Sequence, residues 1–177
     1  MMNYKELLTL FRKVGELKHI QRSGWLRYEI PDSESVADHT FRTAFMAMTL
    51  GDVLNLDTQK LMKMALIHDL AEITAGDITP YDGITTIEKR RMEEVGLREL
   101  LKDVPNSKAY LDLWIEYEEQ KSKEAMILKN IDKLEMAIQA REYQQVFPDK
   151  DLSEFILEAD RRINIPEIRA LFEGDKT

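Results

Sequence analysis

The sequence predicts an all-α fold in a single domain, on three observations. Apolar residues recur at helical spacing along almost the whole chain, and no segment shows the strict alternation of a half-buried strand. Only seven glycines and five prolines interrupt 177 residues, too few for a loop-dominated chain. That length is the ordinary size of one domain, and 44% hydrophobic residues suffice for its core.

Taken in order, Leu7, Leu10, Phe11, Val14 and Leu17 form the apolar stripe of a first helix. A connection with Gly and Pro follows, SGWLRYEIPDSES. From about Ser35 to Leu54 a second helix carries Phe41, Ala44, Phe45, Met48 and Leu50, apolar around most of its circumference, which predicts a central, buried helix. Asp57 is the expected N-cap of a third helix that runs to Ala75 and stops at Gly76. GDITPYDGI reads as a loop. Thr85 with Glu88 three residues on is a capping-box signature for a fourth helix ending near Lys102. Further helices are expected from about Ser107 to Gln120 and from about Lys123 to Gln145, with two short ones after the Phe147-Pro148-Asp149 break. One domain, 1–177, is the expected organisation.

Charge and composition narrow the chemistry. Twenty-five Lys and Arg against 33 Asp and Glu give a net charge of −8, a poor basis for binding a nucleic-acid polymer. A phosphate ligand would need a local reversal of sign, which a bound cation supplies. The absence of cysteine leaves only His and carboxylates as strong metal ligands. The N-terminal MMNYKELLTLFRKVGELK lacks the apolar core of a signal peptide, and no apolar run is long enough to span a bilayer, so a cytoplasmic location with no membrane partner is expected.

Two of the three histidines stand beside aspartates, at Asp38-His39 and His68-Asp69. His68 shares a helical stripe with Met64 and Glu72 inside the apolar segment MALIHDLAEI. A carboxylate buried in such a segment is costly unless it is paired or bound to metal. His68 and Asp69, with His39 from a neighbouring helix, could border one cavity, and Asp132 in ILKNIDKLEMAI is a candidate fourth ligand. Two His and two Asp suit Mn, Co, Fe, Zn or Mg, with positions left for water and substrate. Blander readings stand beside this one. A His-Asp dipeptide arises often by chance, and Asp132 also suits a helix-surface or capping charge.

Four segments carry a resemblance: LKHIQRSGW, ESVADHTFRTAFMAM, MALIHDLAEITAGDITP and KNIDKLEMAIQAREY. In order and at these separations they resemble the HD superfamily of phosphohydrolases, in its 5′-deoxynucleotidase branch of YfbR-like and HD domain-containing protein 2-like proteins. The resemblance implies an all-α HD helical bundle, a homodimer, and metal ligation by His39, His68, Asp69 and Asp132. It implies functional carboxylates at Glu72 and Asp77, either as acid and base or, with the carbonyl of Ile78, as ligands of a second ion. It also implies that Arg22 grips the substrate phosphate. Trp25, separated from Arg22 by Ser23 and Gly24, is a candidate contact to sugar or base.

The expected activity is release of phosphate from deoxynucleoside 5′-monophosphates by water activated on a divalent cation. Glu72 would orient or deprotonate the water, Asp77 would protonate the leaving 5′-oxygen, and Arg22 offers paired donors to the phosphate. The residues also allow other assignments: Arg22 as a helix-end charge, Glu72 in an ion pair, Asp77 as a turn residue, and Trp25 as a core aromatic. Hydrolysis of nucleoside triphosphates or cyclic nucleotides by the same kind of centre is the rival activity. A non-catalytic nucleotide-binding helical module is the rival from outside enzymology.

Overall fold

The computed structural model describes residues 4–175; the ends of the expected single domain, residues 1–3 and 176–177, lie outside them. The described residues are helical, with no strand beyond an isolated antiparallel bridge between Gln21 and Ser35. The order is α1 (Tyr4–Val14), a 3-10 helix (Gly15–His19), α2 (Ser23–Arg27), α3 (Val36–Val53), α4 (Thr58–Ile67), α5 (Glu72–Ala75), α6 (Thr86–Leu101), α7 (Ser107–Glu118), α8 (Lys123–Val146), α9 (Ser153–Arg162) and α10 (Pro166–Gly174). None of the described helices is long and apolar enough to cross a membrane.

Local signals account for most boundaries. The Asp57 side chain accepts the backbone N–H of Lys60 at 2.9 Å, capping α4 as expected. At the start of α6, Thr85 Oγ1 accepts from the Glu88 N–H at 3.2 Å, while Glu88 Oε2 accepts from the Thr85 N–H at 3.0 Å, a complete capping box. Ser122 caps α8 through the Ala125 N–H.

Two expectations need correction. The helix predicted from Asp57 to Ala75 breaks after Ile67: Leu70 N–H bonds to Ile67 O and Glu72 N–H to Asp69 O, three-residue turns that tighten the chain where an α-helix would continue. Helical periodicity persists across the break, so hydrophobicity alone does not reveal it. Trp114, wholly buried, donates its indole N–H to the His68 carbonyl at 3.2 Å, satisfying an acceptor next to the break. The second correction concerns α3. Phe41 and Phe45 are 74% and 56% exposed, and the face turned inward carries Val36, His39, Thr40, Thr43 and Ala47. A helix apolar on most of its circumference has two candidate inward faces, and here the inward one is the more polar.

By internal packing the chain forms two compact units. The first holds the described residues up to Phe41 together with Leu66–Ile115. Its core joins Leu17, Val36, Ile67, Leu70, Leu97, Leu100, Leu101, Leu111 and Trp114. In it α5 lies against α6 so closely that a Cβ on Gly96 would fall 1.9 Å from Thr74 Oγ1. The second unit holds Arg42–Ala65 and the described residues from Glu116 onward. There α8 packs on α9 and α10, burying Leu128, Ile131, Leu134, Phe155, Ile168 and Phe172. Buried Asn130 of α8 accepts the N–H groups of Asn164 and Ile165 at 2.8 and 3.1 Å, fixing the approach to α10.

Candidate metal centre

His39 sits in the first turns of α3, and His68-Asp69 occupies the break after α4. Both imidazoles are buried, at 0% and 4% exposure. Their Nε2 atoms point at each other across 3.4 Å, with Asp69 Oδ2 lying 3.5 Å from one and 3.2 Å from the other. The three donor atoms all fall within 4.8 Å of one another. Two imidazole nitrogens and a carboxylate oxygen converging on one point form a nitrogen-oxygen donor set that fits a divalent cation.

Arg22, the residue before α2, brings Nη1 to 3.4 Å from Asp69 Oδ2. Burial opposes ionisation of Asp69, but the charge and hydrogen bond of His68, with the charges of His39 and Arg22, outweigh it and hold the carboxyl well below the usual aspartate range. Glu72 opens α5 and is 3% exposed, with Oε2 buried and lacking a hydrogen-bond partner among the described residues. Burial, then the neighbouring charges of Asp69 and Asp77, push its carboxyl well above the ordinary glutamate range, against the opposing pull of Arg22 and Lys89. An orphaned, buried carboxylate oxygen beside converging ligands is the kind of group that a cation or its water would satisfy.

Gly76 ends α5 at φ 74° and ψ 168°, a conformation open essentially to glycine alone, and hands the chain on to Asp77. Asp77 is held from two sides by one residue: its Oδ2 accepts the Ser23 N–H at 2.6 Å and its carbonyl accepts the Ser23 hydroxyl at 2.7 Å. Ile78, 9% exposed, turns its carbonyl to the Lys89 ammonium at 2.8 Å.

Trp25 is 2% exposed, and its indole N–H donates to Glu34 Oε1 at 2.8 Å. A ring enclosed in this way packs the site wall and offers no face for a base to stack on. A carboxylate oxygen of Glu34 lies in turn within 4.8 Å of a His39 ring nitrogen. Sequence reasoning assigned no partner to Glu34, Ser23, Lys89 or Trp114. Each meets a group 9 to 54 residues away in the chain, and no local pattern marks such a pairing.

Asp132 belongs to α8 in the second unit; its side chain is 14% exposed and lies 3.7 Å from the Lys133 ammonium. Among the described residues, His39, His68 and Asp69 form one cluster of converging donors that does not include Asp132.

The chain is 40% identical over 173 residues to 5′-deoxynucleotidase HDDC2 of Danio rerio, a match covering 95% of this chain and 85% of that protein. It is 38% identical over 167 residues to the human protein of the same name, covering 93% and 81%. Among solved structures, a conserved hypothetical protein from Pyrococcus furiosus superposes with a TM-score of 0.81 at 33% identity, covering 96% of this chain and 98% of that one. The HD domain family matches residues 14–169, through every segment that supplies the site, and the chain belongs to that family.

Proposed function

We propose that this protein is a metal-dependent 5′-deoxynucleotidase, a phosphoric monoester hydrolase that releases phosphate from deoxynucleoside 5′-monophosphates. One observation carries the reading: two buried imidazole nitrogens 3.4 Å apart, flanked by the Asp69 carboxylate. The names and close similarity of the relatives support the substrate class.

His39, His68 and Asp69 would hold the cation, with Asp132 as fourth ligand. Its identity among Mn, Co, Mg, Fe and Zn is left open by a donor set of this kind. When bound, the ion supplies Lewis acidity to a phosphoryl oxygen and lowers the pKa of a water. Arg22, already beside Asp69, brings a planar pair of donors to the phosphate and adds positive charge to an acidic protein. Glu72, whose burial favours its protonated form, gains its carboxylate as positive charge enters the site. In that state it orients the attacking water and accepts its proton. Asp77, anchored by Ser23, is assigned to the departing 5′-oxygen, to which it would pass a proton drawn from solvent. If a second ion is taken up, Glu72, Asp77 and the Ile78 carbonyl become its ligands.

The same reading covers organisation. Residues 1–177 form one HD domain, supported by a family match that crosses both compact units. The protein acts as a cytoplasmic homodimer on a small nucleotide. Exposed Phe41 and Phe45, on successive turns of α3, support a covered face in solution.

The test is phosphate release by purified protein with Mn²⁺ or Co²⁺ over a panel of deoxy- and ribonucleoside monophosphates, triphosphates and cyclic nucleotides. Turnover is expected with deoxynucleoside 5′-monophosphates and lost on chelation. Silence toward every monophosphate with every divalent ion would overturn the proposal, and preference for triphosphates or cyclic nucleotides would reassign the substrate.

A further inference from the structure

Lys89 lies in the first turn and a half of α6, where a cation opposes the positive end of the helix dipole. Its ammonium nevertheless points inward and donates to the Ile78 carbonyl at 2.8 Å, with Glu93 Oε1 at 3.5 Å. The side chain is 33% exposed, and its charge acts on Glu72, Asp69 and Asp77. These neighbours include the groups that a second divalent ion would use: the Glu72 and Asp77 carboxylates and the Ile78 carbonyl. An ion coordinated by that carbonyl would sit about 2.0–2.6 Å from the oxygen. The ammonium already approaches the same oxygen, and two cations on one carbonyl repel each other at close range.

We propose that Lys89 is a tethered cation that holds the second-ion position, so that a second divalent ion binds at Glu72, Asp77 and Ile78 only by displacing its ammonium. The centre therefore runs with one tightly held divalent ion at low metal concentration. One charge of the acidic pair is offset by the protein's own side chain until metal is abundant. This inference rests on the reading of His39, His68 and Asp69 as the first ion's ligands. The capping box that fixes the start of α6 sets the reach of Lys89, and the turn at Gly76 presents the carbonyl it meets.

A purely structural clasp makes the opposite prediction. If Lys89 served only to pin the 76–85 loop to α6, its loss would loosen the Ile78 carbonyl and weaken any ion there. Calorimetric titration of the full chain with Mn²⁺, checked by metal analysis after desalting, separates the two. Lys89→Met removes charge and tether together; Lys89→Gln keeps a donor for the carbonyl without the charge. The expected result is one tight Mn²⁺ per wild-type chain and a second, much weaker one. In either variant the second ion's Kd should fall by about tenfold or more, because a competing cation at close range is gone, while the first ion, which meets the Lys89 charge only through Asp69, changes far less. A second ion bound equally well, or more weakly, in both variants would overturn the proposal while leaving the first site standing. Failure of the wild-type chain to bind any Mn²⁺ would overturn both this inference and the reading on which it rests.

Discussion

Glu72→Gln in metal-free protein tests the electrostatics of the centre most directly. Glu72 is 3% exposed, Oε2 has no partner among the described residues, and Asp69 and Asp77 add negative charge nearby. Its folded-state pKa is therefore raised above the ordinary glutamate value of 4.5. The sign follows from linkage: a group that binds its proton more tightly when folded adds stability that is fully present below 4.5 and is lost as pH rises through the raised value. Glutamine imitates the protonated carboxyl and cannot ionise. The two proteins should match in stability below pH 4.5 and diverge above it, the variant becoming the more stable. An unsatisfied buried polar group costs about 1–3 kcal/mol, and more if charged, so the gap near neutrality should reach at least that order. For a chain of this size that is roughly 2–12 °C in Tm. Thermal and urea melts in chelator from pH 4 to 8 measure it. Saturating Mn²⁺ should then narrow the gap, because a nearby cation stabilises the carboxylate and not the amide; at a hundred times Kd, binding contributes about 2.7 kcal/mol to a chain that holds the ion. Parallel stability curves for the two chelated proteins, with no divergence above pH 4.5, would refute the account of Glu72.

Other outcomes follow from the same structure. Asp69→Ala should leave a folded protein that retains no metal after dialysis and turns over no nucleotide; full activity would exclude this centre. Trp114→Phe removes the donor to the His68 carbonyl and should cost about 1 kcal/mol, seen as a shift in urea midpoint, together with weaker Mn²⁺ binding by calorimetry. Gly76→Ala meets no atom within 4 Å, so any loss reports backbone conformation alone: about 1–3 kcal/mol of stability and a fall in kcat as Asp77 moves. An unchanged melt in that variant would show the turn to be unstrained. Trp25→Phe should weaken Mn²⁺ binding about 10–100-fold through Glu34 and leave base preference unaltered, whereas a base contact would change the preference.

Much of this molecule is written in local sequence. The caps at Asp57, Thr85-Glu88 and Ser122 act within a few residues of themselves, so the starts of α4, α6 and α8 can be read without knowing the rest of the chain. His39 and His68-Asp69 stand out because ionisable groups are rare in apolar helical segments, and the cost of burying them implies a partner. The break at Ile67 left no such mark: the apolar spacing continues through it, and the Trp114 side chain that satisfies the His68 carbonyl arrives from 46 residues away. Trp25 shows the same limit. An aromatic beside an arginine suits a stacking platform or a buried anchor equally well, and only its enclosure and its bond to Glu34 separate the two.

By itself, then, the chain determined an all-α architecture, most of its helix starts, and which imidazoles and carboxylates are too costly to bury without a partner. Those depend on short-range hydrogen bonds and on the solvation cost of charge, both properties of a residue and its near neighbours. Tertiary structure decided the inward face of α3, the orphaned oxygen of Glu72, and the grip of Ser23 on Asp77 and of Lys89 on Ile78. Each of these depends on which distant side chain arrives first at a given atom, and no periodicity in the sequence encodes that.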